Sequence, residues 1–480
     1  MKSINYEKIL IFLWVCILIS INSSYTTTLQ LTNINVFSIF SKSSFLILFN
    51  FIRFYVPFIT LPILIIIFLF NRSKKIDILI SLFIIYSCWQ LVAFFFSNRQ
   101  SDSYVTFTEL RTIGSNIFYS EFEESLFNNL NLIFCSLSIL IILTIANNLN
   151  LKKFNKKIFL ITLSFIGLIA IYFTYQLIYE SIKNNSKFMY FSNALMADSM
   201  TFNQANPRIT GLSRMLLIFY FLSFLFLLKS NKKIFWRVIL IILMLLLYKM
   251  QTRGAFIGII MMYIIFFFFY SLELKKKFIN FLVLVLFPII LFETYYFGKR
   301  NNLFTISDFK TQEQNILYEQ SRLLENETSG RYTIWKNALS IINEKKIILG
   351  YGPQADRFLF FIFRINYGNK NIYYDKNGNP YLYDNNASNS LIYAYLCGGV
   401  VGFLLLLSIY LYAISAVVKN IFVNKIFLLE NNLWSNFSNI VIMYMGFRGF
   451  FENSFAVFGI DYIFFILAHL NSKNLNKSTR

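Results

Sequence analysis

Long apolar stretches alternate with short polar ones along most of this chain, and the alternation predicts a bundle of membrane-spanning helices. A helix needs about 20 apolar residues to cross the ~30 Å hydrocarbon layer of a bilayer. In lipid the backbone must satisfy its own hydrogen bonds, so such runs fold as helices. We predict twelve spans, near residues 9–21, 54–70, 78–96, 127–146, 158–179, 212–228, 234–249, 254–272, 278–297, 389–418, 434–447 and 455–470.

Loop lengths divide the chain into three predicted parts. Inner loops are short and basic, whereas three outer loops are long: 97–126, 180–211 and 298–388. We therefore expect a membrane domain of nine spans (1–297), a large outer loop (298–388) and a second membrane domain of three spans with a tail (389–480). The first span follows Lys2 and Lys8 without a convincing cleavage pattern, which favours a retained signal anchor over a signal peptide.

Composition supports an all-α, polytopic transmembrane fold. The chain is 57% hydrophobic and 14% charged, whereas soluble domains carry about 25% charged residues. The net charge of +21 suggests nucleic acid at first sight, but its distribution argues otherwise. The segments we assign to the inner face hold 21 Lys and Arg residues against four acidic ones. This one-sided excess is typical of cytoplasmic loops, so it places both termini in the cytoplasm and excludes a nucleic-acid partner.

The largest outer loop has a pattern of its own. Trp335, Ala338, Leu339 and Ile342 recur at helical spacing, which predicts an amphipathic helix beginning near Arg331. The tail of the loop, residues 373–384, mixes aromatic rings with turn formers. Such a surface suits sugar rings, although tyrosines at a membrane interface are an equally good interpretation.

Five arginines fall within the spans or at their outer edge. Charges at that level are costly and usually functional. Each one alone could be a snorkelling or ion-paired residue, but five at one depth favour a shared anionic ligand, since guanidinium groups match phosphate oxygens. Glu452 follows the last arginine at helical spacing. An equally good interpretation of these two residues is therefore an internal ion pair with no ligand. The five are Arg208, Arg214, Arg253, Arg331 and Arg448.

The sequence lacks the residues that several common chemistries require. It contains no Asp-x-Asp motif, no Walker loop and no histidine or cysteine metal cluster, so we expect no metal site and no cofactor. The four cysteines lie scattered in apolar runs. The single histidine, His469, ends the last span on the inner side.

Three stretches resemble the O-antigen polymerase and O-antigen ligase superfamily of bacterial membrane glycosyltransferases. Thr252-Arg253-Gly254 is similar to that family's Ser-Arg-Gly turn. Ser329-Gly330-Arg331 with Trp335, followed by Gly350-Tyr351-Gly352, is similar to the start of its large outer loop. The resemblance covers mainly residues 200–470.

The third stretch is the end of that loop. Family members often have His-Asn there, then an apolar run and two glycines three residues apart. Asn389, Gly399 and Gly402 match, but Ser388 stands in place of the histidine. A serine hydroxyl cannot take up a proton near neutral pH. The departure counts against a ligase and favours a polymerase.

The resemblance implies a donor glycan on a polyprenyl diphosphate, used at the periplasmic face of the bacterial inner membrane. By that resemblance Arg253 and Arg331 bind the diphosphate, with Arg208, Arg214 and Arg448 in support. Asn389 and Ser388 orient the acceptor, Trp335 contacts substrate, and Glu452 is the candidate base. A ligase acting on lipid A–core and a lipid-linked oligosaccharide flippase remain alternatives, and other polysaccharide-assembly proteins are expected partners. The large late outer loop and the lack of matched broken helices in the two halves disfavour a flippase.

Overall fold

The computed structural model of the chain describes part of its length. The described residues are 2–22, 44–70, 76–97, 126–149, 151, 154–183, 209–250, 253–269, 274–302, 331–345, 347–356, 359–360, 372–374, 380–382, 387, 389–423, 433–452 and 459–478.

Almost all of these residues are helical. The α-helices are α1 (Lys2–Asn22), α2 (Ser44–Phe70), α3 (Ile78–Phe96), α4 (Leu126–Asn148), α5 (Phe154–Lys183), α6 (Ile209–Lys229), α7 (Lys233–Lys249), α8 (Arg253–Phe269), α9 (Leu274–Phe281), α10 (Phe287–Asn302), α11 (Arg331–Lys345), α12 (Ser390–Val418), α13 (Leu433–Gly449) and α14 (Ile460–Ser478). A π-helical turn, Leu282–Leu286, joins α9 to α10, and another, Lys419–Val423, extends α12.

The prediction of a helical membrane fold is confirmed. Each predicted span overlaps a helix. Within the described ranges, six helices are long and apolar enough to cross a membrane, and Tyr55–Phe70 and Gly254–Phe268 are shorter apolar helices. The span count of twelve and the three-part domain division stay predictions. The six long spans are Ile78–Phe96, Asn129–Asn148, Phe154–Tyr172, Leu212–Lys229, Leu274–Thr294 and Ser390–Ile421.

The segment predicted as the large outer loop contains the predicted helix and also a small hairpin. Helix α11 begins at Arg331 as predicted, but its buried positions are Ala338 and Ile341, whereas Leu339 is 54% exposed. The apolar residues fit two overlapping helical faces, and the sequence could not choose between them. Strands β1 (Ile372–Tyr374) and β2 (Pro380–Leu382) pair antiparallel. An Asn-Gly pair lies between them in the sequence, which is a strong hairpin signal.

The chain forms two compact units. The first comprises Met1–Leu163, Ile334–Val417 and Met445–Lys477. In it, α1, α2 and α4 pack on one another, and α3 packs on α4. Buried polar side chains pair between distant helices: Trp14 Nε1 donates to Thr162 Oγ1 (3.0 Å), and the Ser136 hydroxyl lies 2.8 Å from the Tyr462 hydroxyl. These bonds offset the cost of placing polar groups in an apolar interior.

The second unit comprises Ser164–Thr333, Val418–Tyr444 and Ser478–Arg480. Helix α6 packs on α7 and α8, and α7 also packs on α10. The Tyr248 hydroxyl on α7 donates to the Glu293 carboxylate on α10. Gly258 allows close packing, because a methyl group built on it would lie 2.6 Å from the Leu217 side chain and 2.7 Å from the Tyr444 ring.

Candidate active site

Helix α12 is broken near its N-terminal end. Gly399 has φ 60° and ψ −153°, a backbone conformation that only glycine adopts without strain. We call residues 396–400 the helix break. It divides α12 into a short half-helix that starts at Ser390 and a long one that ends at Val418.

A turn between α11 and α12 docks on this break. We call residues 347–352 the loop turn. Because the two segments bond to each other, backbone groups that the interruption would leave without helical partners are satisfied, as burial in a membrane requires. The bonds are Tyr351 N–H to Leu396 O (3.0 Å), Gly352 N–H to Cys397 O (2.8 Å) and Val400 N–H to Ile348 O (3.1 Å).

Glycines make this docking possible. Gly350 has φ 87° and Gly352 has φ 85°. A methyl group built on Gly350 would lie 2.5 Å from the Cys397 backbone, and one on Gly352 would lie 2.5 Å from Phe94 Cβ. Gly350 of one family motif and Gly399 of the other are therefore both explained by the close approach of the loop turn to the helix break, since a methyl group on Gly399 would lie 1.8 Å from Ile348 O.

The first residues of α12 attach this helix to the end of α13. Asn389 caps α12, since its Oδ1 accepts from Leu391 N–H (2.9 Å) and Ile392 N–H (3.1 Å). Its Nδ2 donates to Phe450 O (2.9 Å). Ser390 Oγ donates to Glu452 O (2.8 Å). We call residues 449–452 the outer turn; Asn389 and Ser390 hold it by its carbonyls.

The outer turn carries an ion pair with spare donors. The Arg448 Nη2 donates to the Glu452 carboxylate, which realises the pair that the sequence spacing allowed. Arg448 is only 5% exposed, and its Nε and Nη1 are buried with no hydrogen-bond partner among the described residues. An unsatisfied buried donor costs about 1–3 kcal/mol, and more for a charged group. A guanidinium in this state is suited to bind an anion.

Aromatic rings surround the outer turn. The Trp335 ring lies 6.4 Å from the Phe451 ring, and Phe447 lies 5.4 Å from Phe451 between centroids. The Tyr410 ring stacks on Phe450 at 5.7 Å. The predicted site residues Asn389, Arg448, Glu452 and Trp335 are thus brought together around one turn of the first compact unit.

The other predicted site residues lie in the second compact unit or outside the described residues. Arg214 is half-buried on α6, while Arg253 begins α8 and Arg331 begins α11; these three belong to the second unit. Arg208 and Ser388 lie outside the described residues. The shared anion site of five arginines stays a prediction.

Sequence reasoning missed Ser390, Tyr410 and Trp89. Ser390 is adjacent to Asn389, a predicted site residue, and this adjacency is the signal that could have identified it. Trp89 Nε1 donates to Gly398 O (2.7 Å) across 309 positions of sequence. No local sequence pattern predicts a contact between residues so far apart. No group of three or more His, Cys, Asp and Glu side chains suited to a metal ion occurs in the described ranges.

Residues 238–407 match a family model described as O-antigen ligase. The predicted resemblance is confirmed. The matched segment begins in α7 and ends in α12, so it includes Arg253, Arg331 and Asn389 as well as the loop turn and the helix break.

The match supports membrane function of the O-antigen ligase and polymerase type, in keeping with the apolar helices. No curated protein and no solved structure matches the chain. The outer turn, with Arg448 and Glu452, lies beyond the matched segment.

Proposed function

We propose that this protein is a membrane glycosyltransferase that polymerises oligosaccharide repeat units carried on a polyprenyl diphosphate, at the periplasmic face of the bacterial inner membrane. The observation that carries the proposal is the buried Arg448, which has two donors without partners among the described residues and lies beside Glu452 on the outer turn. An anionic group in a largely apolar surrounding fits these donors, and a diphosphate supplies such oxygens.

Arg448 would stabilise the leaving group. A planar guanidinium binds phosphate oxygens through two parallel hydrogen bonds. As the bond between the anomeric carbon and the diphosphate breaks, negative charge grows on the diphosphate. Fixed donors that meet this charge lower the barrier without reorganising. The family resemblance implies that Arg253 and Arg331 also bind the diphosphate, with Arg208 and Arg214 in support.

Glu452 would receive the proton of the acceptor. A sugar hydroxyl of the acceptor attacks the anomeric carbon, its proton passes to the Glu452 carboxylate, and the polyprenyl diphosphate leaves. Glu452 is paired with Arg448. Because a bound diphosphate would compete for that guanidinium, donor binding would release carboxylate lone pairs for the hydroxyl. Asn389, Ser388 and Trp335 would orient the acceptor glycan, and positive charge from the arginines would replace a metal ion.

A ligase is the second candidate, and the family model that matches is described as O-antigen ligase. Against it stands Ser388, where the family often has histidine. The two activities share donor and leaving group and differ in the acceptor, which is a lipid-linked repeat unit for a polymerase and lipid A–core for a ligase.

A deletion strain of the source bacterium distinguishes these functions. Lipopolysaccharide would be run on a gel, and polyprenyl-linked glycans would be extracted in parallel. Core with a single repeat unit supports the polymerase. Bare core, with long chains retained on the periplasmic carrier, supports the ligase. Single units trapped on the cytoplasmic face would identify a flippase and refute both.

Complementation with arginine variants tests the chemistry. Arg448→Ala should lower the rate of polymer formation about 100- to 1000-fold, the range seen when one transition-state donor is removed. Arg448→Lys should recover little of it, since an ammonium lacks the fork of donors. Arg253→Ala and Arg331→Ala should each abolish activity while the protein stays in the membrane. The exposed Arg237 is the matched control, and Arg237→Ala should retain activity.

A further inference from the structure

Trp89 contacts the helix break from outside the matched family segment. Its indole N–H donates to Gly398 O at 2.7 Å. Gly398 immediately precedes Gly399, the interrupted position. A methyl group built on Gly398 would lie 3.1 Å from Trp89 Cδ1, which shows how closely the indole approaches. Trp89 lies on α3 and is half-buried.

The break accepts bonds from two directions. The loop turn supplies N–H groups to the carbonyls of Leu396 and Cys397, and Trp89 supplies one to the next carbonyl. Three consecutive carbonyls are thereby held by groups from elsewhere in the same compact unit. The half-helix that starts at Ser390 is fixed at its inner end by these bonds and at its outer end by Asn389 and Ser390.

We propose that Trp89 is a positioning residue that clamps the helix break through its N–H, and so holds the outer turn in place for the reaction. It acts through the half-helix rather than on substrate. If the bond to Gly398 O is lost, the half-helix gains freedom at its inner end, and Asn389 and Ser390 no longer hold the turn that bears Arg448 in one position. The consequence for activity rests on the proposed function; the clamp itself does not.

Two substitutions of Trp89 distinguish the contribution of the indole N–H from that of the rest of the ring. Trp89→Phe keeps an aromatic ring but removes the donor. Trp89→His keeps an N–H at the same place, since imidazole Nε2 and indole Nε1 occupy equivalent ring positions, but removes the benzene ring. A clamp through the hydrogen bond predicts that Trp89→His behaves more like wild type than Trp89→Phe does. A packing role predicts the reverse order.

The matched control is Trp14, which also donates a buried indole hydrogen bond in the first compact unit, to Thr162 Oγ1. Trp14→Phe removes a bond of the same kind far from the break in sequence. Any effect of Trp89→Phe that Trp14→Phe shares is general destabilisation.

Hydrogen–deuterium exchange on the purified full-length protein tests the clamp without any assay of activity. The probes are the amides of Tyr351, Gly352 and Val400, which bond across the break. Trp89→Phe should speed their exchange roughly tenfold, the factor that one net hydrogen bond supplies. Trp89→His and Trp14→Phe should leave it within about twofold of wild type. Unchanged exchange in Trp89→Phe, or equal acceleration in Trp89→His, would overturn the proposal.

Polymer formation by membranes of the complemented deletion strain, measured at several concentrations of the lipid-linked donor, gives the second measurement. Trp89→Phe should lower the maximal rate about tenfold with an unchanged half-saturating donor concentration, because positioning affects the transition state more than the ground state. Faster exchange with a full maximal rate would refute the positioning role. If wild type supports neither polymerisation nor ligation, the proposed function fails, and the exchange result still decides whether Trp89 clamps the break.

Discussion

Replacing Gly399 with alanine should open the helix break. A methyl group at this position would lie 1.8 Å from Ile348 O, closer than non-bonded atoms can approach. The residue would also be held at φ 60° and ψ −153°, which costs about 1–3 kcal/mol for a residue with a side chain. Neither problem is relieved by rotating a side chain, because the atom in the way belongs to the backbone.

The cost can be estimated from the bonds at stake. Moving Ile348 O away breaks the bond from Val400 N–H and disturbs the two other bonds between the loop turn and the helix break. Each is worth about 0.5–1.5 kcal/mol net. With the backbone strain, the loss is about 3–6 kcal/mol, a large share of the roughly 5–15 kcal/mol that stabilises a typical protein.

Thermal unfolding in detergent, followed with a thiol-reactive fluorogenic maleimide, measures this loss. Cys135 and Cys397 are 1% and 0% exposed and become reactive on unfolding. The exposed Cys88 is first replaced by serine to lower the background. Gly399→Ala should lower the midpoint by at least about 5 °C, since 1 kcal/mol shifts it by roughly 2–4 °C in a domain of 150–250 residues.

Gly446→Ala is the matched control. Its methyl group would make ordinary contact with Ile414 at 3.8 Å, and alanine is favoured over glycine inside a helix. Its midpoint should therefore equal or exceed that of wild type. A Gly399→Ala protein with the midpoint of the control would show that the break is unnecessary, and the account of the docked loop turn would be wrong.

Three further substitutions test the outer turn and the packing beneath it. Gly449→Ala should destabilise strongly in the same thermal assay, because its methyl group would lie 1.5 Å from the Tyr410 hydroxyl oxygen; partial rescue by Tyr410→Phe would verify the clash, and a normal midpoint in the single variant would contradict it. Asn389→Ala should cost about 1–3 kcal/mol, because it removes both the cap and the bond to Phe450 O, and Asn389→Ser should cost less because it keeps a capping oxygen without placing a carboxylate against that carbonyl; equal midpoints for the two variants would argue against capping. Ser136→Ala should cost about 1–3 kcal/mol, since it removes a buried hydroxyl bonded to Tyr462, and a midpoint unchanged from wild type would refute that estimate.

Part of the candidate site was predictable because its residues can be recognised from their immediate sequence neighbours. A charged residue at the outer edge of an apolar run is expensive in any fold, and this drew attention to Arg448. The helical spacing to Glu452 then predicted their ion pair, which forms. Asn389, at the end of the predicted outer loop, matches the family pattern, and in the structure it caps α12. Ser388 and Arg208 stay predictions.

The supporting contacts were beyond sequence reasoning. Leu339 was expected on the buried face of α11 and is 54% exposed, while Ile341 is buried. The helical period alone fits both choices, and only the neighbours that α11 packs against decide between them. The donor from Trp89 to Gly398 had no sequence signal at all, since a tryptophan in an apolar helix satisfies the hydropathy pattern whether or not its N–H has a specific partner.

The sequence by itself determined the helical membrane character, the family resemblance and the position of each main helix. These properties depend on the transfer of individual side chains between water and lipid and on hydrogen bonds within one helix, so they can be read residue by residue. Only the tertiary structure decided that α12 breaks at Gly399, that Gly350 and Gly352 dock there, and that Asn389 and Ser390 hold the outer turn. Those features depend on backbone groups and close approaches between distant segments, and hydropathy does not encode which distant carbonyl a given N–H will meet.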